Sequence, residues 1–336
     1  MRQTRAVVLP AAGGPVTVEQ IRLREPEEGE VLLKIEACGV CHSDLFVAGL
    51  EKLPLAPVTL GHEGVGRVEA VGAEVHDWAP GDRAGITFLG TTCGTCEWCR
   101  TGRERFCPKQ TNFGYSRHGV LSEFAVVPAA ALVRVPAEIP AEQAAPMCCA
   151  GWTAYGALRE AGLAESQTVA LFGFGGLGHL ALQMARVRRL RVAVADLSQR
   201  KLEMALEGGA EIAVAAENAG RTLQKEHGGV HAAIVMTASS VAIQQAFRAL
   251  KRGGTLILVG LSVNSYELPL TDTILRGVTI RGSYLGTRED LEQVFKLARS
   301  GAIRAHVQQH ELEETPAILD NLRRGEILGR AVARLH

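Results

Sequence analysis

The chain has 336 residues, 47% of them hydrophobic and 21% charged, and its 36 basic and 36 acidic side chains cancel at pH 7. This length accommodates one large domain or two of ordinary size, each with its own core. Because no arm or stripe is strongly basic, binding to nucleic acid or anionic lipid is not expected. Neither a signal-like start nor an uninterrupted apolar span is visible, so we expect a soluble, cytoplasmic protein without a membrane segment.

Two halves of the chain differ in their predicted secondary structure. Up to about residue 140, short β-type runs such as RAVVL, VLLKIEA, VGRVEAV and EFAVV are separated by glycine and proline, and no long amphipathic helix is predicted. From about Gly151, strands alternate with helices, which indicates a parallel sheet covered on both faces. The predicted strands of this half are TVALF (168–172), RVAVA (191–195), AAIVM (232–236) and TLILVG (255–260).

Four of the eight cysteines lie close together in a C-x2-C-x2-C-x7-C motif. Four thiolates at such spacing can enclose a zinc ion completely, which leaves no position for a substrate and is typical of a structural site. An iron–sulfur cluster or four unligated thiols are the alternatives, and the spacing only partly matches a cluster-binding run. The predicted ligands of this zinc are Cys93, Cys96, Cys99 and Cys107.

The segment GFGGLG follows the predicted strand at 168–172 and begins a helix, as a dinucleotide-binding turn does. The first glycine permits the tight turn, the second lets the backbone approach a pyrophosphate, and the third lets helix pack on strand. A glycine turn without a ligand is the simpler alternative. The predicted cofactor-binding residues here are Gly173, Gly175, Gly176, Leu177 and Gly178.

Asp196 ends the next predicted strand, 18 residues after Gly178, where a carboxylate can accept hydrogen bonds from an adenine-ribose diol. A helix N-cap is an alternative role for Asp196, and both roles can hold together. The carboxylate would repel the 2′-phosphate of NADP, although Arg200 and Lys201 could soften that repulsion. The sequence therefore favours NAD over NADP.

A second set of potential metal ligands is scattered in glycine-containing turns: Cys41 in ACGVCHSD, His62 and Glu63 in LGHEGVG, and Cys149 in APMCCAGWT. Each of these residues alone is more often a packed core residue than a ligand. Their combination with a dinucleotide fold favours a metal site.

These segments resemble a zinc-dependent alcohol dehydrogenase of the medium-chain dehydrogenase/reductase family, in particular its tetrameric bacterial and yeast branch. The resemblance implies an α/β protein with a GroES-like β-rich catalytic domain, 1–150 completed by 287–336, and a Rossmann NAD-binding domain, 151–286, with a cleft between them. The matching segments span the chain and are CGVCHSD, GHEGVGRVEAVG, GDRAG, the four-cysteine motif, APMCCAGWTAYGAL, GFGGLGH, RGSYLGTREDL and GEILGRAV.

The same resemblance implies a catalytic zinc held by Cys41, His62 and Cys149, with the fourth position open to water or substrate. Glu63 is then a neighbouring carboxylate that can approach the metal transiently. Asp44 matches the residue that orients the histidine ligand.

The implied reaction is the reversible oxidation of primary alcohols, with secondary or aromatic alcohols as further possibilities, to aldehydes or ketones. Zinc lowers the pKa of the alcohol, and the carbon of the alkoxide then delivers hydride to NAD. Ser43 matches the first hydroxyl of the proton relay. The residues that match the family's cofactor contacts are His42 near the pyrophosphate, Arg330 at a phosphate, Lys201 near the adenosine ribose, and Val259, Gly260 and Leu261 beside the nicotinamide.

Phe46 departs from the family pattern, because many members carry a histidine there as the last base of the relay. A shorter or water-based proton path is therefore expected, with a shallower pH dependence between pH 6 and 9. Phe46, Phe88, Trp152 and Leu285 are candidate pocket residues, and core or interface positions are their alternative. Trp152 in a pocket would favour medium-length or aromatic alcohols.

Two competing functions share these motifs. An NADP-dependent aldehyde or cinnamyl-alcohol-type reductase has the same metal ligands, and Asp196 disfavours its cofactor. A catalytically silent NAD-binding protein is disfavoured by the complete ligand set. The expected partners are a small alcohol or aldehyde and further copies of the chain, as a homotetramer by resemblance or as a dimer, with TLILVG and the following segment as a sheet edge.

Overall fold

The computed structural model describes residues 1–263 and 265–335, which divide into two compact units. The first unit comprises Met1–Cys149, Leu291–Arg299 and the chain from Ala305 onward. The second unit comprises Ala150–Asp290 and Ser300–Arg304. The domain bounds expected from the sequence, at residues 150 and 287, stay a prediction. Among the described residues, no helix is both long enough and apolar enough to cross a bilayer.

The first unit is built on two β-sheets with short helices around them. A small sheet has the strand order β2–β1–β4, and a larger one has the order β15–β16–β3–β5–β6–β8, with β7 also paired to β3. The strands are β1 (Arg2–Leu9), β2 (Thr17–Leu23), β3 (Glu30–Val40), β4 (Val58–Thr59), β5 (Gly64–Val71), β6 (Arg83–Ile86), β7 (Phe124–Pro128), β8 (Val133–Arg134), β15 (Val307–Glu311) and β16 (Arg330–Arg334). The helices are α1 (His42–Ala48), α2 (Glu97–Arg100), α3 (Ala141–Pro146) and α11 (Thr315–Arg323), while α10 (Arg288–Arg299) belongs mostly to this unit.

Burial explains why these short strands form in the first unit. Strand β3 is central, because β16, β5 and β7 all pair with it. Its apolar side chains, among them Leu33 and Ile35, join Ile86 and Phe113 in one buried cluster. Each such side chain stabilises the fold by about 1.5–3 kcal/mol when it leaves water. The apolar runs that predict the strands are therefore the residues of this core.

The second unit is a six-stranded parallel sheet in the order β11–β10–β9–β12–β13–β14. Numbered within the unit, this is the Rossmann order 3-2-1-4-5-6, whose ligand site lies at the carboxyl ends of the strands, where the order reverses. The strands are β9 (Thr168–Phe172), β10 (Arg191–Asp196), β11 (Ile212–Ala215), β12 (Val230–Val235), β13 (Leu250–Leu258) and β14 (Thr279–Gly282). The helices are α4 (Trp152–Glu160), α5 (Gly178–Val187), α6 (Gln199–Glu207), α7 (Ala219–His227), α8 (Ser240–Ala249) and α9 (Leu270–Arg276).

The predicted α/β class with a doubly wound parallel sheet is confirmed. All five residues of β9 are buried, as expected for a strand covered on both faces. Helices α1 and α9, at seven residues each, were not predicted. A segment of two turns has too few positions for a 3.6-residue periodicity to emerge.

Candidate metal and cofactor sites

Four predicted residues meet in one buried group of the first unit. Cys41 precedes helix α1, His62 and Glu63 lie in the turn between β4 and β5, and Cys149 lies in the π-helical turn Met147–Gly151. The potential ligand atoms of these four residues all lie within 4.8 Å of one another. Short π-helical turns occur frequently at functional sites, because they redirect side chains within a helix.

The two thiols of this group are spaced as metal ligands are. Cys41 Sγ and Cys149 Sγ lie 3.9 Å apart. Two sulfurs bound to one tetrahedral zinc at about 2.3 Å would be about 3.8 Å apart, whereas a disulfide bond measures about 2.0 Å. A hydrogen bond from the Cys149 thiol holds the pKa of Cys41 well below its usual range despite burial. A thiolate is therefore available at this position for a metal.

Asp44 fixes the orientation of the His62 ring. Its carboxylate accepts hydrogen bonds from the backbone N–H groups of Cys41, at 2.9 Å, and Gly61, at 3.1 Å, and lies 3.2 Å from His62 Nδ1. His62 Nε2 is buried and has no hydrogen-bond partner. Burial alone would lower the pKa of His62, but the Asp44 carboxylate raises it to about 10. A metal at Nε2 would displace this proton and satisfy the nitrogen.

Glu63 forms a buried ion pair with Arg330, whose guanidinium donates to Glu63 Oε1. Both side chains are almost fully buried, with 0% and 3% of their surface exposed. The second oxygen, Oε2, has no hydrogen-bond partner. Arg330 was predicted at a cofactor phosphate, and the structure places its guanidinium on the carboxylate of the metal group. No sequence pattern predicts this pair, because its members lie 267 residues apart.

Two further predicted residues contact this group on the same unit, and two others lie on helix α1. Ser43 Oγ is 3.7 Å from Cys41 Sγ. Phe88 packs its ring edge-on against the His62 ring, with 5.3 Å between centroids. Phe46 is half-buried on helix α1, and His42 is exposed at the start of that helix. Among the candidate pocket residues, Phe88 is therefore the one in contact with a metal-group side chain.

The four-cysteine motif folds into a compact lobe. The sulfurs of Cys93, Cys96, Cys99 and Cys107 lie within 4.8 Å of one another, with Cys93 3.9 Å and Cys96 3.5 Å from Cys99. Hydrogen bonds from the backbone N–H groups of Thr95 and Cys96 lower the pKa of Cys93 to about 5. The donor set fits a closed zinc site with four sulfur ligands.

The glycine turn of the second unit has the shape that a dinucleotide requires. Gly173 follows β9 with a φ of +98°, which other residues rarely adopt. A side chain on Gly178 would lie 2.3 Å from the Gly173 carbonyl, so the third glycine permits helix α5 to pack closely. Gly175 faces open space, where a Cβ would meet nothing within 4 Å. Together with Gly176 and Leu177, it leaves room for a pyrophosphate at the N-terminus of α5.

Asp196 lies at the carboxyl end of β10, beside this turn. Its carboxylate accepts hydrogen bonds from the backbone N–H groups of Phe174, at 2.7 Å, and Ser198, at 2.9 Å. Each carboxylate oxygen has two lone pairs, so both can still accept a bond from a ribose hydroxyl. Lys201 lies in α6, which follows Asp196, and is half-buried.

Val259, Gly260 and Leu261 follow β13 at the same edge of the sheet. The N–H groups of Val259 and Gly260 both donate to the carbonyl of Val235. A side chain on Gly260 would lie 2.4 Å from the Thr237 carbonyl, so two strand ends approach closely here. These residues therefore share the carboxyl edge of the sheet with the glycine turn.

The last two candidate pocket residues are buried in the second unit. Trp152 is 2% exposed, its indole N–H donates to the Thr287 carbonyl at 2.6 Å, and its ring fills the space beside Gly286. Leu285 is 8% exposed. This environment favours the alternative interpretation of Trp152 as a core residue, and it weakens the expectation of an aromatic pocket built on that ring.

Comparison with known proteins identifies the class to which these sites belong. Residues 27–137 match the alcohol dehydrogenase GroES-like domain, and residues 176–300 match the zinc-binding dehydrogenase domain. The chain is 42% identical over 325 residues to an alcohol dehydrogenase of Geobacillus stearothermophilus, with 95% of each chain covered. The two matches define a zinc-binding dehydrogenase with a GroES-like domain.

Solved structures agree with this class. An alcohol dehydrogenase from the archaeon Aeropyrum pernix superposes with a TM-score of 0.92 at 31% identity, covering 98% of this chain and 99% of that one. A cinnamyl alcohol dehydrogenase from Sorghum bicolor superposes with a TM-score of 0.91 at 27% identity, covering 99% and 98%. The chain belongs to the zinc-dependent alcohol dehydrogenases of the medium-chain dehydrogenase/reductase family, so the predicted family and GroES-like fold are confirmed.

Proposed function

We propose that the protein reversibly oxidises alcohols, primary ones foremost, to aldehydes or ketones, with NAD as hydride acceptor and zinc held by Cys41, His62 and Cys149. The observation that carries this proposal is the buried ligand group in which His62 Nε2 is unpartnered and its ring is fixed by Asp44. Two thiols and one imidazole leave one position of a tetrahedron open, as catalytic zinc sites do.

The side chains around the ligand group have distinct roles in this reaction. When bound, zinc polarises the alcohol and NAD accepts the hydride. Asp44 holds the His62 ring through Nδ1, so that Nε2 would face the metal ion rather than the substrate. The Ser43 hydroxyl, beside Cys41, takes up the alcohol proton and passes it toward solvent. Phe88 covers one edge of His62 and excludes water from it.

We assign a structural role to the second metal group, in which a zinc ion would have Cys93, Cys96, Cys99 and Cys107 as ligands. With four sulfurs within reach of one ion, no position remains for a substrate. The expected content is therefore two zinc ions per chain.

NAD is the proposed cofactor because the Asp196 carboxylate stands where the 2′-phosphate of NADP would bring a second negative charge. His42, Lys201, Val259, Gly260 and Leu261 remain proposed contacts of the cofactor. For Arg330 we propose a phosphate contact in addition to its ion pair with Glu63.

Aldehyde reduction of the cinnamyl-alcohol type is a second candidate activity. The similarity to the sorghum cinnamyl alcohol dehydrogenase favours it, since the two chains superpose over nearly their full lengths. The cofactor separates the two candidates, because this class usually prefers NADP and Asp196 disfavours that cofactor.

We propose that the subunit assembles with further copies of itself into a dimer or homotetramer in the cytoplasm. The expectation that TLILVG forms a sheet edge is wrong, because this run lies mostly in β13, which pairs with β12 on one side and β14 on the other. The edge strand is β14, and the segment before it exposes large apolar side chains. Such a patch is typical of an interface. The described cysteines are all free thiols, which fits a reducing compartment. The exposed apolar residues are Leu261, Val263, Leu268, Leu270, Ile274 and Leu275.

The test of the proposed function is NADH formation by the purified protein with a panel of primary, secondary and aromatic alcohols. His62→Ala should abolish turnover with every alcohol, because it removes one of three ligands. The matched control is His76→Ala, at an exposed histidine beside Glu74, which should leave turnover unchanged. Alcohol oxidation by His62→Ala at the wild-type rate would refute the assigned site.

A further inference from the structure

Gly39 is a glycine inside the central strand β3, where the backbone does not require one. Its φ lies outside the left-handed region, it pairs with Val332 of β16, and its N–H donates to the Glu63 carbonyl at 3.0 Å. Glycine inside a strand costs conformational entropy and gives up packing, and it often marks a close approach by another group. The reason for glycine here must therefore lie in the space that its missing side chain leaves.

The side chain of Glu63 occupies that space. A Cβ on residue 39 would lie 2.4 Å from Glu63 Cδ, 2.7 Å from Cγ and 2.8 Å from Oε1. These distances are all shorter than real contacts of Cβ atoms. Glu63 cannot simply swing into solvent to relieve the clash, because it is fully buried and paired with Arg330. Even alanine at position 39 would force the carboxylate out of its present place.

The two oxygens of this carboxylate have different environments. Oε1 accepts from Arg330, whereas buried Oε2 has no hydrogen-bond partner, and a Glu63 oxygen lies in the same ligand group as Cys41 and His62. A buried carboxylate oxygen without a partner is costly unless a cation satisfies it. Since Arg330 neutralises Glu63, this oxygen can approach a zinc ion without adding net charge to a site with two thiolates.

We propose that Gly39 is a positioning residue of the metal site, acting through Glu63. The absent side chain provides the volume in which the Glu63 carboxylate lies against Arg330 and presents its second oxygen to the metal. A side chain at position 39 breaks this arrangement and leaves Arg330 as an uncompensated buried cation beside the metal. The inference rests on the catalytic zinc site proposed above.

A double-mutant cycle tests this inference in the full-length, zinc-loaded, NAD-free protein. The variants are Gly39→Ala, Glu63→Ala and the two combined, and the measurement is the rate at which a chelator removes zinc from the catalytic group. Loss of a supporting residue costs about 10–100-fold in metal affinity, so Gly39→Ala should speed zinc loss by at least about tenfold. In the Glu63→Ala background, the space beside residue 39 is vacant. Gly39→Ala should therefore change the rate of zinc loss there by less than about twofold.

Equal effects of Gly39→Ala in both backgrounds would overturn the inference, because residue 39 would then act through the backbone. If Gly39→Ala alone does not fold, the combined variant should fold and keep zinc as Glu63→Ala does. A combined variant that also fails to fold contradicts the proposal.

The matched control for crowding is Gly220→Ala in helix α7, where a Cβ would lie 2.7 Å from Arg248 Cβ. This substitution should lower the melting temperature and leave the rate of zinc loss unchanged. Wild-type protein that binds zinc only in the four-cysteine lobe would refute the proposed catalytic site. In that case the melting temperatures of the same three variants would still test the contact. Gly39→Ala should lower the melting temperature when Glu63 is present and have little effect in the Glu63→Ala background.

Discussion

At the scale of single residues, two carboxylates that the sequence singles out are both held by backbone N–H donors. Asp44 accepts from Cys41 and Gly61, and Asp196 accepts from Phe174 and Ser198. The sequence could identify Asp196 from its place at the end of a predicted strand, whereas Asp44 was implied only by the resemblance to the dehydrogenase family. Whether two distant residues touch cannot be read from spacing, so the pairing of Glu63 with Arg330 required the fold.

Asp196 sets the choice between NAD and NADP in this account. Asp196→Asn removes the negative charge and keeps an oxygen that can accept the Ser198 N–H. The ratio of kcat/KM with NADP to that with NAD should rise by about tenfold or more, because like charges no longer face each other. Asp82→Asn, at a surface aspartate that accepts from the Ala79 N–H, is the control. An unchanged ratio in Asp196→Asn would remove the basis for the cofactor assignment.

Phe46 lies three residues after Ser43 on helix α1, so the two side chains share one face of the helix. Phe46→His adds a base with an ordinary pKa of about 6.5 to the proton path. The profile of kcat against pH should therefore become steeper between pH 6 and 9. Phe46→Leu should retain the wild-type profile, which we expect to be shallow. Identical profiles for wild type and Phe46→His would mean that position 46 takes no part in proton transfer.

At the scale of secondary-structure elements, burial decides which of them the sequence predicts. Strands β9 and β10 begin at the predicted residues, because strands covered on both faces form continuous apolar runs. Helix α9 has no buried residue, and its apolar side chains face outward. Because no residue of α9 packs into the core, its sequence has no apolar periodicity from which the helix could be predicted.

The four-cysteine lobe has little regular structure of its own, since helix α2 has only four residues. A metal is therefore expected to hold the lobe together. Cys93→Ser should lose one of two zinc ions per chain and lower the melting temperature, while alcohol oxidation persists at moderate temperature. Thr101→Ala removes a hydroxyl that donates to the Glu97 carbonyl and accepts from Arg103 Nε, but no sulfur ligand, and should keep both ions. A Cys93→Ser protein with unchanged zinc content and melting temperature would contradict this role.

At the scale of the whole molecule, the sequence indicates two architectures, because short strands give way to alternating strands and helices near Gly151. It does not reveal from residue patterns alone that β15 and β16, at the end of the chain, join β3 in the sheet of the first unit. Strand partners far apart in sequence depend on tertiary packing, and only the resemblance to known dehydrogenases implied this return.

The exposed patch around α9 should be the surface through which two copies associate. Ile274→Lys combined with Leu275→Lys places charges on side chains that are 75% and 67% exposed in the single chain, and should shift the molar mass toward the monomer. Light scattering after size exclusion measures this mass. The control Leu206→Lys, at a 51% exposed leucine of α6, should keep the wild-type assembly. An unchanged mass for the double variant would place the interface elsewhere.

Zinc removal tests the central claim most directly. NADH formation with the best alcohol of the panel is followed together with zinc content as a chelator strips the metal, and again after zinc is restored. We predict that activity falls in proportion to the loss of one zinc ion per chain and returns when that ion is replaced. Undiminished alcohol oxidation after all zinc has been removed would contradict the account, as would a fully zinc-loaded protein that oxidises no alcohol with either cofactor.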